Sequence, residues 1–117
     1  MKRFALLLCF LGVSLAHAAG STADAGLTEV MELGRLNGQV LACGYINAVA
    51  RIKAVMIEFA PKSRRYGAAF EEAANEAFLA QSRKERNTCP DGPTFAEQVE
   101  GASRRLQAAL PPAAPLP

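Results

Sequence analysis

Tyr45-Ile46-Asn47-Ala48-Val49-Ala50-Arg51-Ile52-Lys53-Ala54-Val55-Met56-Ile57-Glu58-Phe59-Ala60-Pro61 is the stretch on which the fold turns. Its apolar residues Tyr45, Val49, Ile52, Met56 and Phe59 recur at intervals of four and three. That is the roughly 3.6-residue period of an α-helix, not the two-residue alternation of a strand. Asn47, Arg51, Lys53 and Glu58 fill much of the opposite side. Pro61 ends the helix, because proline lacks the N–H that the next turn needs and clashes with the turn before it.

Toward the N-terminus the same register runs back through Leu41, Gly38, Gly34, Met31 and Leu27. Two readings fit. One helix could cover about 28–60, with Gly34 and Gly38 letting a second backbone come close. Alternatively Asn37-Gly38, a turn dipeptide, breaks it into helices over 27–36 and 39–60. Each glycine in a helix interior costs about 1 kcal/mol, so the two-helix reading is preferred.

Beyond Pro61, Ser63 is a natural N-cap. Tyr66, Phe70, Ala73, Ala77 and Leu79/Ala80 mark a third helix over about 64–86. Its acids (Glu71, Glu72, Glu76) come early and its bases (Arg83, Lys84, Arg86) late, the order that a helix dipole favours. After the turn-rich Asn87–Pro93, Thr94-Phe95-Ala96-Glu97 has capping-box spacing. Phe95, Val99, Ala102, Leu106 and Ala109 then repeat the four-three pattern in a fourth helix. The fold class expected is all-α, a small bundle of three to four helices spanning 27–110.

The N-terminus reads as a signal peptide over 1–18: basic Lys2 and Arg3, an apolar run from Phe4 to Leu15, then Ala16-His17-Ala18 as a small-x-small cleavage site. The run is too short for a membrane span, which takes about 20 residues. Residues 19–26 are expected to form a small, polar, flexible lead, and 111–117 a proline-rich tail expected to be disordered. Cleavage removes Cys9 and the only histidine, His17. It leaves Cys43 and Cys89, an even pair that an exported chain of this size is expected to join. Closing that loop would take about 4 kcal/mol of entropy out of the unfolded chain. If the second and third helices form a hairpin at Pro61, the chain after the third helix reaches Cys43.

Cleavage also removes Lys2 and Arg3, leaving 11 basic side chains against 11 acidic ones. A neutral chain offers no electrostatic reason to bind nucleic acid or an anionic membrane. Without histidine there is no Ser-His or Cys-His nucleophile pair and little zinc chemistry. Cys43 and Cys89 are no CxxC, and no glycine pattern cradles phosphate. Glu72 and Glu76 read as a solvated face, Met31 and Met56 as core. The expectation is therefore not an enzyme, with no cofactor and no metal.

The local feature that stands out is Lys62-Ser63-Arg64-Arg65-Tyr66-Gly67, three cations and a tyrosine at a helix N-terminus. As the free end of the hairpin, Lys62, Arg64, Arg65 and Tyr66 are the candidate partner-binding residues. In layout the chain resembles two groups of exported helical proteins. Cys43-Gly44-Tyr45-Ile46, followed by Cys89-Pro90 and a last amphipathic helix, looks like the periplasmic immunity proteins. The single-disulfide helical layout is similar to the acid-stress chaperones of the periplasm. These resemblances imply a periplasmic or secreted protein that docks another exported protein, as an immunity or inhibitor protein, or alternatively an acid-activated chaperone. Small-molecule or metal binding in a bundle core is the third option.

Overall fold

A computed structural model describes residues 24–111, apart from the side chain of Arg86. The expected signal segment 1–18, residues 19–23 of the expected lead and residues 112–117 of the expected tail lie outside the described residues. Among the described residues four α-helices follow one another: α1 Leu27–Ala42, α2 Ile46–Phe59, α3 Arg64–Ser82 and α4 Gly92–Ala109, with a short 3-10 turn at Arg86–Thr88 before α4. Among the described residues there is no strand.

The chain does break between Leu27 and Pro61, but at Gly44 and not at Asn37-Gly38. Gly44 sits at φ 82°, a left-handed conformation that side chains resist. Around it the Gly44 N–H donates to the Leu41 carbonyl and the Tyr45 N–H to the Val40 carbonyl, at 3.2 and 2.9 Å. This is the paired closure of a Schellman end, in which a glycine lets the chain satisfy the last free carbonyls of a helix. Asn37 and Gly38 instead lie buried inside α1.

Helix α2 ends at Ala60, held extended (ψ 141°) by the proline behind it. Helix α3 begins after Ser63 as expected, though the Ser63 side chain makes no capping bond, and it stops at Ser82, four residues short of the expected end. The start of α4 is set by Asp91, not by the Thr94–Glu97 box. Asp91 Oδ1 accepts the Thr94 N–H at 2.8 Å, and Pro93 lies in the first turn, where its missing donor costs nothing.

The core is built on α1. Val30, Leu33, Leu36 and Val40 are buried against Val49, Ile52 and Val55 of α2 and Phe95, Val99, Ala102 and Leu106 of α4. Directions follow from the contacts. Gly26 at the start of α1 meets Leu106 and Leu110 at the end of α4, so those helices are antiparallel. Tyr45 stacks edge-on to Phe95, and Arg51 pairs with Glu100, so α2 runs parallel to α4.

The expected α2–α3 hairpin does not form. Helix α3 packs along α1 and has no comparable interface with α2 or α4. The reason lies in Gly34 and Gly38. A Cβ on Gly34 would collide with the Phe70 carbonyl oxygen, and one on Gly38 with that of Ala74, so two backbones touch where α1 has no side chains. Residue numbers rise together along this contact, so α1 and α3 are parallel. Both therefore end at the same level, and Cys43 at the end of α1 reaches Cys89 with the Cα atoms 5.9 Å apart. The bridge forms as expected, with α1 as the neighbour of α3. The register through Leu27, Met31, Gly34, Gly38 and Leu41 therefore borders α3 and is not the main core stripe; Met31 and Leu41 are exposed.

The glycines give a test with opposite signs in one fold. Gly38→Ala should lower stability by about 1–3 kcal/mol, since backbone overlap outweighs the gain in helix propensity. Gly67 in α3 has open space around its Cα, so Gly67→Ala should raise stability by up to about 1 kcal/mol. Thermal melts followed by circular dichroism separate the two; equal shifts of the same sign would contradict the close α1–α3 approach.

Candidate functional site

The hinge residues singled out from sequence are placed at one end of the bundle, and most have work inside the chain. The Lys62 ammonium donates to the Met56 carbonyl at 3.0 Å and to the Ile57 carbonyl, capping the C-terminus of α2. Arg65 pairs with Asp24 at 2.9 Å. Tyr66 is only 5% exposed and donates its hydroxyl to the Ala25 carbonyl at 2.9 Å. Arg64 is exposed. This end is therefore tied to the start of α1 rather than free, and Tyr66 belongs to the core instead of to a contact surface. The Pro61 turn would be a free end only if α3 packed on α2, and α3 packs on α1.

Two concave surfaces lie outside what the sequence reading singled out. The first is a trough of about 580 Å³ between α1 and α3. Its floor is Ala73, Ala77 and Ala80 with Met31, which is 47% exposed. It exists because α3 meets α1 through glycines and alanines, so little side-chain bulk fills the flank of the contact. Charges line its rim. Arg35 makes a two-pronged pair with Glu32 on the α1 side, Nε to Oε2 at 2.9 Å, and Glu76 and Lys84 stand on the α3 side.

The second is a groove of about 560 Å³ between α2 and α4, lined by Tyr45, Ile46, Ala48, Ala96 and Val99 and closed at one end by the Arg51–Glu100 pair, 2.7 Å apart. A sequence signal for it was present. Ile46 and Ile57 fall outside the core register of α2, yet both are large and apolar.

Among the described residues, no group of three or more His, Cys, Asp or Glu side chains could hold a metal ion, and no helix is long and apolar enough to cross a membrane.

Three carboxyls are held below their ordinary range. The Arg35 hydrogen bond lowers Glu32, the Arg51 hydrogen bond lowers Glu100, and hydrogen bonds from Thr94 lower Asp91. Each therefore binds its proton less readily folded than unfolded. Their stabilisation is complete above the unfolded carboxyl values near 4 and is lost only as pH falls through the lower folded values. Glu32 and Glu100 are half-exposed and Asp91 is exposed, so solvent screens each and each contributes little. The melting temperature should stay level from about pH 7 to 5 and decline below about pH 4. A transition at pH 5–6 would contradict these assignments.

No family model, curated protein or solved structure matches this chain, so its function has to be inferred from its own surfaces.

Proposed function

We propose that this chain is an exported, non-enzymatic binding protein that docks another exported protein, as an inhibitor or immunity protein does, through the trough between α1 and α3. Export rests on the signal pattern of residues 1–18 together with the Cys43–Cys89 bridge, since disulfides persist in oxidising compartments.

The observation that carries the docking reading is the trough itself. It is an apolar floor with alternating charges on both rims, matching an amphipathic helix laid in a groove. Small floor residues let the partner's backbone come close, and the partner's own apolar side chains cover Met31. On the rims, Glu32 with Arg35 and Glu76 with Lys84 would set its register and orientation more than its affinity. The hinge is the weaker candidate for the contact, because Lys62 and Arg65, though exposed, are engaged within the chain and Tyr66 is buried.

Two outcomes test this. The exported protein should begin at Ala19, give or take a residue, by mass spectrometry; a product retaining residues 1–18 would contradict export. In capture from the exported fraction, a protein retained by the wild type should fall ten-fold or more with Met31→Glu plus Ala80→Glu, because each buries a charge on the floor, and ten-fold corresponds to about 1.4 kcal/mol. Arg64→Glu should leave capture unchanged. The opposite pattern would move the site to the hinge, and capture unaffected by either would overturn the docking reading.

A further inference from the structure

Helix α2 is apolar on two sides. Val49, Ile52 and Val55 face the core. On the outside, Ile46 and Ile57 are 65% and 72% exposed, the largest values among the exposed large hydrophobics of the described residues. Exposed Ala50 and Lys53 lie between them at spacings of four, three and four, so the four residues form one line about 16 Å long on the helix. A chain with a well-filled core has no internal use for two isoleucines in water, since covering each fully is worth about 1.5–3 kcal/mol.

The two ends of this line differ in shape. Ile57 projects at the C-terminal end of α2, whereas Ile46 stands at the wall of the α2–α4 groove. A knob and a hollow thus sit on one helix. Alongside, α4 runs parallel to α2, level with it through the Arg51–Glu100 pair. It carries Glu97 and Glu100 toward its N-terminus and Arg104 one to two turns later.

We propose that this α2–α4 face docks a second copy of the chain about a two-fold axis. With the axis midway between Ile46 and Ile57, rotation brings the Ile57 knob of each copy level with Ile46 and the groove mouth of the other. By the Arg51–Glu100 level, the same rotation sets Glu97 of each copy opposite Arg104 of the other. Both the apolar and the charged pairings are made twice, as a self-complementary isologous contact requires. An anionic lipid surface fits less well, because the face mixes Glu58, Glu97 and Glu100 with Arg51, Lys53 and Arg104 and carries no net positive sign. This face is distinct from the α1–α3 trough, so neither proposal depends on the other.

Sedimentation equilibrium of the exported chain, from about 1 to 200 μM, should show a reversible monomer–dimer equilibrium. Ile57→Glu should weaken the dimer about 100-fold while leaving the circular dichroism spectrum and melting profile of the monomer unchanged. Glu97→Arg should weaken it about ten-fold, and adding Arg104→Glu in the same chain should restore most of that loss by inverting both ion pairs at once. A chain that stays monomeric throughout overturns the proposal and leaves Ile46 and Ile57 to a foreign exported protein or a lipid surface. A dimer indifferent to both Ile57→Glu and Glu97→Arg also overturns it, because association then uses another face.

Discussion

Helix α3 is attached to the molecule through side chains that α1 does not have. Only Tyr66, Ala77 and Gln81 of its nineteen residues are buried, so beyond Tyr66 and the half-buried Phe70 large side chains do little to hold it. What holds it is the approach of two backbones at Gly34 and Gly38, where any Cβ would strike the Phe70 or Ala74 carbonyl. Dispersion contacts are individually about 0.1–0.2 kcal/mol, but many are made when two helices lie this close. The same approach decides that α3 pairs with α1 and that the two run parallel.

A contact of this kind is strong only while the helices keep their register, and both ends of α3 are fastened. At the start, Tyr66 reaches the Ala25 carbonyl and Arg65 pairs with Asp24. At the end, Gln81 Nε2 lies 3.4 Å from Thr88 Oγ1 and 3.6 Å from Cys89 Sγ, beside the bridge to Cys43. The bridge thus does two things. It removes entropy from the unfolded chain, and it fixes the axial level of α3 against α1 so that the glycines face the right carbonyls. The trough is a by-product of the same constraint, since small residues are what the close approach demands and they leave its flank shallow.

Much of the fold was legible because it rests on periodicity. The α4 stripe of Phe95, Val99, Ala102 and Leu106 is buried as its spacing implied, and Pro61 stops α2 where proline must. What periodicity could not supply was the meaning of each glycine. Asn37-Gly38 carries turn chemistry, yet close packing against α3 offsets the helix cost there, whereas Gly44 is the glycine that ends α1. That difference depends on what lies across the space, which a single chain read in order does not contain. The hinge cluster takes on intrachain contacts for the same reason. Lys62, Arg65 and Tyr66 look free as letters and become a cap, an ion pair and a core residue once α3 lies beside α1. Ile46 and Ile57 were available to be noticed, because they break the register that everything else in α2 obeys.

The two proposed surfaces lie on opposite flanks of α1, the trough on its α3 side and the isoleucine line on the far side of α2. A two-fold dimer through α2 and α4 would therefore cover neither trough and would hold two of them in one rigid particle. Two identical sites then face any partner that is itself repeated or multimeric. Engaging the second site becomes an intramolecular step, with a gain in avidity that can reach about 10²–10⁴ where the geometry allows both to bind. A shallow trough floored by alanine makes a modest single contact, since it offers few deep pockets for anchoring side chains. Pairing two such sites is a physical route by which a chain this small could hold its target firmly without a larger interface on each copy.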